Sequence, residues 1–368
     1  MKKRAVILWV LLPLLMGCKR SGEPQIIGTR QEETERSEQK ERERDRDMAD
    51  SGGLYEADFT TAQFWVTAKA PVTMPENKVI KETRGIKTNF SGDTFERVSR
   101  TLSDSLGMVW GEEGREDDKS GTLTFMTDEE AAYKIDYRTV TDPDSSQESC
   151  SFIWCVNLGK GRNWGSTERV QTYDVDSREA EHKRQAAEEL QAKTEQMLKD
   201  MGLSEYGLRR CWWRHETYSR KQEGVFFYQA VYTPSWSGLP FVSESSYFGH
   251  VNASGPYLQV TFKEDGSLEQ FKLVDTCEEE PGQKESQPFL LPFASVAELF
   301  EQYVKDYEEH DREGDGQRQK LQVTRVTMEY AWNGDGVVPV WSFYGRIDSG
   351  RETLLLSIRA DDGQALSI

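Results

Sequence analysis

Residues 338–345 read Val338-Pro339-Val340-Trp341-Ser342-Phe343-Tyr344-Gly345, and this stretch decides the fold that the sequence predicts. Trp341 and Phe343 lie two residues apart, so one face of a predicted strand over Val337–Tyr344 can lie in a core. Pro339 has no N–H to donate to a sheet, which places it on an edge strand or at the start of a strand. The stretch therefore predicts a β-strand with at least one buried face.

The segments on either side continue the pattern. Leu321–Trp332 predicts a strand whose apolar side chains share one face. Glu352–Ala360 predicts a further strand, and Asp362-Gly363 supplies the positive φ of a tight turn before a last short strand. Upstream of all three, Ser295-Val296-Ala297-Glu298 matches a capping box, so a helix is predicted to begin there.

A similar order of elements occurs once before in the chain. A long amphipathic helix is predicted over Arg178–Met201 and ends at Gly202. Four strands follow at residues 208–218, 224–234, 257–264 and 267–275, and Asp265-Gly266 lies in the turn between the last two. Duplication would explain this repeat, and so would the ordinary rhythm of an α+β protein.

The preceding segment predicts a third unit with one helix, over Asp93–Leu106. Pro71 and Pro75 are expected to close its first strand. The predicted strands lie at residues 64–68, 78–90, 123–126, 132–140 and 151–157. The expected fold class is therefore α+β, with antiparallel sheets each packed by one amphipathic helix and with this arrangement duplicated in the C-terminal half.

The first eighteen residues carry an export signal. Met1-Lys2-Lys3-Arg4 is basic, residues 5–16 are almost all apolar, and the run is too short for a comfortable transmembrane helix. Leu15-Met16-Gly17-Cys18 resembles the bacterial lipoprotein box, in which the cysteine receives a diacylglyceryl group and becomes the new N-terminus. The resemblance implies lipidation of Cys18 and a lipid-anchored position on the extracytoplasmic face of the cell membrane. The alternative is an ordinary signal peptide with a coincidental cysteine.

The ending of the chain resembles known envelope proteins. Val338–Gly345, then Leu354-Leu355-Leu356-Ser357-Ile358 and Asp362-Gly363, are similar to uncharacterised Gram-positive (Clostridia-type) lipoproteins of unknown function. They are also similar to the C-terminal region of PepSY-like envelope proteins, including regulatory proteins of wall-sensing two-component systems. The resemblance implies a PepSY-like sheet with a packed helix, and it brings no catalytic residues.

These observations predict five segments. Residues 19–53 are mostly charged and polar, so they cannot bury enough apolar surface to offset the entropy of ordering. The segments are a lipoprotein signal peptide at 1–17, a charged disordered tether at 18–53, an N-terminal α+β unit at 54–175, a helix plus four-strand unit at 176–290 and a PepSY-like unit at 291–368.

The net charge and the absence of known catalytic motifs narrow the classes of function that the sequence allows. The 368 residues carry a formal net charge of −18, which argues against nucleic acid as a partner. The four histidines, His182, His215, His250 and His310, form no H-E-x-x-H motif, and neither a nucleophile elbow nor a P-loop is present. We therefore expect no catalytic residues, no metal site and no cofactor.

Four cysteines remain once Cys18 is assigned to the anchor: Cys150, Cys155, Cys211 and Cys277. An exported chain permits disulfides among them, and three connectivities exist. Cys211 and Cys277 bracket the second unit and could pair, whereas a Cys150–Cys155 pair needs a turn or a bulge. Four buried thiols are the alternative.

Aromatic side chains give the candidate binding surface. The segment Thr233–Tyr257 is rich in Ser, Gly and aromatic residues and predicts a long loop that can bind a peptide or glycan. The candidates in and near it are Trp212, Trp213, Trp236, Phe241, Tyr247 and Phe248. Their alternative role is to fill the cores of the β units.

Together these features predict a membrane-anchored extracytoplasmic lipoprotein that acts as a non-enzymatic binding or regulatory module at the cell envelope. Its expected partners are the membrane, through Cys18, and an envelope protein or a wall fragment. One alternative is a solute-binding lipoprotein, although this chain lacks the two-lobed βαβ order of elements expected of such receptors. The other alternative is a cell-wall hydrolase.

Overall fold

A computed structural model describes most of the chain that follows the predicted tether. The described residues are 53–74, 80, 86–88, 92–106, 109–117, 120–127, 130–141, 148–157, 166–175, 177–236, 238–243, 247–248, 255–278, 289–307, 318–332, 336–348 and 350–366. The predicted signal peptide, the predicted lipidation site Cys18 and all but the last residue of the predicted tether lie outside these residues.

The described elements are mostly strands. In chain order the strands are β1 Leu54–Thr60, β2 Phe64–Thr73, β3 Ile86–Thr88, β4 Val109–Asp117, β5 Ser120–Thr127, β6 Glu130–Thr141, β7 Glu148–Asn157, β8 Thr167–Asp174, β9 Tyr206–Tyr218, β10 Lys221–Trp236, β11 Leu239–Pro240, β12 Tyr257–Lys263, β13 Leu268–Val274, β14 Thr276–Glu278, β15 Gln319–Trp332, β16 Val337–Ile347 and β17 Thr353–Arg359. The helices are α1 Gly92–Leu106, α2 Arg184–Asp200 and α3 Phe293–Asp306, and a 3₁₀ helix over Arg178–Lys183 precedes α2.

A five-stranded sheet joins the two ends of the described chain. Its order is β1-β2-β15-β16-β17. β2 and β15 run parallel, with Phe64 opposite Gln319, and all other neighbours are antiparallel. Because α3 lies between β2 and β15 in the chain, the two strands and the helix form a βαβ unit whose crossover also contains everything from β3 to β14.

That long crossover contains the second sheet. Its ten strands include the ordered path β4-β5-β6-β7-β13-β12-β10-β9-β8, and β11 pairs with β10 outside this path. Every pairing in it is antiparallel. A small two-stranded sheet pairs β14 with β3.

Each large sheet has a core on its helix-covered face. Helices α1 and α2 pack on the ten-stranded sheet, and Val98, Leu102 and Leu190 are among their buried side chains. Helix α3 packs on the five-stranded sheet, where the rings of Phe300 and Phe343 stack at 4.1 Å. Burial of such apolar side chains is the main term that stabilises the fold.

The expected fold class is wrong. The chain is mostly β, and the described residues hold three α-helices, two of them against the same sheet. The five-stranded sheet takes strands from the first and last predicted units, so the C-terminal residues do not form a sheet of their own with one packed helix. A PepSY-like fold is not shown. Sequence periodicity identifies single elements, but it does not specify which distant strands pair.

Pro339 lies in the interior of the five-stranded sheet, near the start of β16. Both faces of β16 are buried along most of its length: Trp341 and Phe343 belong to the core with α3, and Val338, Val340 and Tyr344 belong to a second apolar cluster on the opposite face. The N–H of Ala360 donates to the carbonyl of Pro339 at 2.9 Å. The nitrogen and the carbonyl of a strand residue point to the same side, so the nitrogen of Pro339 also faces the residues just beyond the end of β17. No ladder hydrogen bond is lost there.

Two predicted boundaries differ from the structure. β2 continues through Pro71 to Thr73, and Pro71 lies where the β2–β15 register is interrupted, so its missing N–H breaks no regular ladder. Helix α3 begins at Phe293 with Pro292 at the N-cap position, and no side chain caps it. Ser295 is therefore inside the helix and does not begin it.

A buried ion pair joins the two sheets. Glu329 of β15 is fully buried and faces away from α3. Arg209 of β9 donates a hydrogen bond to its Oε1, and the Tyr344 hydroxyl donates to its Oε2 at 2.8 Å. Arg209 lies at a bulge of β9, between Leu208 and Arg210, and bulges redirect side chains in this way.

Candidate functional site

The adjacent tryptophans of β9 lie on opposite faces of the ten-stranded sheet. Trp213 is fully buried beneath α2, with its ring 5.6 Å from that of Tyr228. Trp212 faces the other way and is covered by the guanidinium groups of Arg210, at 4.7 Å from its ring, and Arg351, at 5.2 Å. Neither indole presents an open face to solvent.

Two other candidates fill the core of the five-stranded sheet. Phe241 is buried and forms an isolated parallel bridge with Tyr330 of β15. The ring of Trp236 lies 5.2 Å from that of Tyr330. These side chains therefore pack the segment after β10 onto the other sheet.

Tyr247 and Phe248 attach their segment to β17. Their N–H groups donate to the carbonyls of Leu354 and Leu355, each at 2.9 Å. Both rings pack edge-on against Phe64 at the start of β2. Five of the six predicted aromatics are thus divided between two cores and Trp212 is covered by arginines, so the six are not brought to one surface. A role for any of them in ligand binding stays a prediction.

Two of the four cysteines are far apart in the ten-stranded sheet. Cys155 of β7 and Cys211 of β9 are both thiols, and β13, β12 and β10 lie between their strands. The distance across three intervening strands is greater than the ~7 Å between Cα atoms that a disulfide can span. Burial raises the pKa of the Cys155 thiol to about 12, which keeps it protonated and unreactive.

The side chains of Cys150 and Cys277 are outside the described residues. Pairing of either one with another cysteine stays a prediction.

Two of the four histidines lie in the described part of the chain. His215 of β9 stacks on Phe226 with ring centroids 4.2 Å apart, and His182 lies in the 3₁₀ helix before α2. His250 and His310 are outside the described residues. Among the residues whose placement is given, no group of three or more His, Cys, Asp or Glu is positioned to bind a metal ion.

None of the helices in the described part of the chain is long and apolar enough to cross a membrane.

An exposed tryptophan lies in the middle of the ten-stranded sheet, on the face opposite α1 and α2. Trp154 of β7 keeps 38% of its surface exposed, while Ile153 and Cys155 on either side of it are fully buried on the helix-covered face. β7 is bordered by β6 and β13, so this indole is not at a sheet edge. It therefore presents an aromatic surface within the sheet.

Polar side chains flank this indole in register. Trp154 is directly opposite Asp136 on β6 and Lys272 on β13, and Lys272 is opposite Gln259 on β12. Directly opposite residues point to the same face. Neighbouring strands are about 4.8 Å apart, so these four side chains form a line about 14 Å long, which we call the Trp154 row.

Each charged side chain of the Trp154 row interacts with a neighbouring group. The Lys134 ammonium lies 2.9 Å from the Asp136 carboxylate, and the Lys272 ammonium lies 5.4 Å from the centre of the Tyr257 ring. All these side chains remain partly accessible to solvent. The row thus offers an aromatic face, a carboxylate acceptor, an ammonium donor and an amide that both donates and accepts. Such groups suit recognition by stacking and hydrogen bonding.

A second exposed tryptophan has a simpler setting. Trp65 of β2 is 44% exposed on the face of the five-stranded sheet opposite α3. Its register neighbours are Thr60 and Lys320, which provide a hydroxyl and an ammonium but neither a carboxylate nor an amide. β2 also lies next to the edge strand β1. The Trp154 row is therefore the better candidate site.

Sequence reasoning did not single out Trp154. In Ser151–Asn157 the alternate positions Phe152, Trp154 and Val156 are as apolar as Ile153 and Cys155. Period-2 alternation therefore assigns neither face to solvent. The feature that distinguishes Trp154 is its register with β6 and β13. This register is known only once the pairing of these strands is known.

The chain has no detected counterpart among known families. No protein family matches its sequence, and no curated protein is significantly similar to it. Among solved structures, an uncharacterised protein from Eubacterium rectale ATCC 33656, whose crystal structure was determined at 1.45 Å, aligns with a TM-score of 0.49 and 12% identity. The alignment covers 84% of this chain and 92% of that one.

Proposed function

We propose that this protein is a lipid-anchored extracytoplasmic binding protein of the cell envelope and that it does not catalyse a reaction. One observation carries the proposal: a basic start, a short apolar run, Leu15-Met16-Gly17-Cys18 and a charged polar stretch follow one another in the order of a lipoprotein precursor. Two acyl chains on Cys18 are sufficient for stable anchoring.

The binding role is supported by the Trp154 row. Its exposed groups stack, donate and accept, and they lie on a sheet whose opposite face is fixed by α1 and α2. A site on a rigid sheet is preorganised for recognition.

Anchoring is tested by replacing the lipidated cysteine. In a bacterial host fed an alkyne analogue of palmitate, we expect the wild-type chain to incorporate label and to sediment with membranes. Cys18→Ala should lose the label, because no other residue receives the diacylglyceryl group. Cys211→Ala is the matched control and should keep it. Full labelling of Cys18→Ala would contradict the anchor.

Binding is tested by crosslinking the lipidated chain in cells, followed by mass spectrometry of its neighbours. We expect one envelope protein or wall fragment in near-stoichiometric amount. The absence of any protein neighbour, with a control lipoprotein crosslinked in the same cells, would overturn a protein partner and leave a small molecule or a glycan as the ligand. Turnover of an envelope substrate that a single carboxylate substitution abolishes would overturn the non-enzymatic role.

A further inference from the structure

We propose that the Trp154 row binds a neutral glycan strand, with one sugar ring stacked on the exposed indole and its neighbours over the flanking side chains. The proposal rests on the proposed binding function and names the ligand class of the same site. It follows from the shape, spacing and charge of the row.

Shape favours a sugar over a protein side chain. The Trp154 indole is open and lies within a sheet, whereas protein hot spots fill packed, fully desolvated pockets. Its register neighbours are a carboxylate and an ammonium, and charged groups are depleted at the centres of protein interfaces. A pyranose ring is flat and has C–H bonds with partial positive charge, so it can lie on the negative face of an indole.

Spacing fits a chain of sugars that crosses the strands. Successive side chains of the row are about 4.8 Å apart, which is close to the length of one sugar unit in a β-linked chain. With one sugar over Trp154, the units on either side lie near Asp136 and Lys272. The Asp136 carboxylate accepts from hydroxyl groups, and the Lys272 ammonium and the Gln259 amide donate to ring, hydroxyl or acetamido oxygens.

Charge favours a neutral glycan over an anionic wall polymer. The carboxylate of Asp136 is balanced by Lys134 at 2.9 Å, and Lys272 is the row's remaining cation. One surplus ammonium group is little positive charge for binding a polyanion, and the net charge of −18 of the whole chain disfavours its approach. A neutral polymer of N-acetylhexosamine experiences no such repulsion.

The test is co-sedimentation of the full-length lipidated chain, held in detergent micelles, with insoluble chitin, a neutral β-linked polymer of N-acetylglucosamine. We expect wild-type binding that soluble chitin oligosaccharides displace. Trp154→Ala should weaken it at least about tenfold, because the stacking platform is lost. Trp65→Ala removes a similarly exposed indole from the other sheet and should leave binding unchanged.

A second substitution distinguishes loss of the binding site from misfolding of the variant. Gln259→Ala removes one hydrogen-bonding group and leaves the indole, and we expect it to weaken binding several-fold. Thermal unfolding of each variant at the wild-type midpoint shows that the sheet is intact. Wild-type-like chitin binding by both Trp154→Ala and Gln259→Ala, or loss of binding in Trp65→Ala alone, would overturn the assignment of the site.

The same measurements separate this inference from the proposed function. If the wild-type chain does not bind chitin but crosslinks to an envelope protein in cells, the glycan assignment is wrong and the binding function stands. If Cys18→Ala keeps its lipid label, the anchor is wrong while chitin binding is still judged on its own result.

Discussion

At the scale of single residues, Glu329 is the most consequential side chain of the sheet junction. It is fully buried, it is bound by Arg209 from the other sheet, and Tyr344 donates to it. Replacing Glu329 with Gln removes the charge that compensates Arg209. We expect the free energy of unfolding, measured by urea denaturation, to fall by about 3–5 kcal/mol.

An exposed ion pair provides the control. Glu96 and Arg100 of α1 are 2.6 Å apart, and each side chain is more than 60% exposed. Glu96→Gln should cost at most about 0.5 kcal/mol, because solvent screens the pair. Replacing both members of the buried pair, Arg209→Met with Glu329→Leu, should restore much of the loss. A single Glu329→Gln variant as stable as wild type would show that the junction does not depend on this charge.

At the scale of secondary structure, Gly345 allows β15, β16 and β17 to approach one another. A Cβ at this position would lie 2.4 Å from the carbonyl oxygen of Gln322 and 2.7 Å from a methyl group of Leu355. Because a backbone oxygen cannot move without disturbing the sheet, we expect Gly345→Ala to lower the free energy of unfolding by about 2–4 kcal/mol.

Gly207 of β9 is the matched control, since nothing lies within 4 Å of a Cβ added there. Gly207→Ala should be neutral or stabilise the protein by up to about 1 kcal/mol, because alanine has less entropy to lose on folding. Thermal and urea unfolding of both variants measures the difference. Equal effects of the two substitutions would contradict a steric role for Gly345.

The elements that the sequence predicted and those it missed differ in where they lie. Helices α1 and α2 and the interior strands β6 and β7 were predicted close to their observed bounds, whereas the prediction at 123–126 covered half of β5. The long strands that were missed, β1, β4 and β8, are all edges of the two large sheets. Strand β8 is mostly exposed along its length, so it has no apolar alternation to detect.

The candidate site was predictable only in part. Trp212 and Trp213 were both candidates for the binding surface, but Trp213 is buried and Trp212 is covered by arginines. Trp154 was overlooked because residues 152–156 are apolar on both faces. Whether such a face is covered depends on the packing of the two sheets, and this is not a local property of the sequence.

At the scale of the whole molecule, the five-stranded sheet is a host and the ten-stranded sheet is an insertion in its β2-to-α3 connection. The host core includes Tyr55, Phe64 and Val66 from β1 and β2. We therefore expect residues 289–368 alone to show no cooperative thermal transition, because β15 lacks its parallel neighbour and α3 lacks part of its core.

A fusion provides the control. Residues 53–74 joined by a flexible linker to residues 289–368 contain every strand of the host sheet in the native order. We expect this chain to regain a cooperative transition with a lower midpoint than the full protein, because Leu239 and Phe241 of the insertion also pack in the host core. A cooperative transition of residues 289–368 without the fusion would contradict the dependence on β2.

The parallel pairing of β2 with β15 also determines the order in which parts of the chain can fold. Arg318 donates to the carbonyl of Ala62, 256 residues earlier in the chain. A ribosome adds residues from the N-terminus, so Phe64 and Val66 leave it long before their partner strand exists. Contacts this distant in sequence form late and slowly. Until the final fifty residues emerge, the first hairpin has no sheet to join, and its apolar face needs a chaperone or remains open to aggregation.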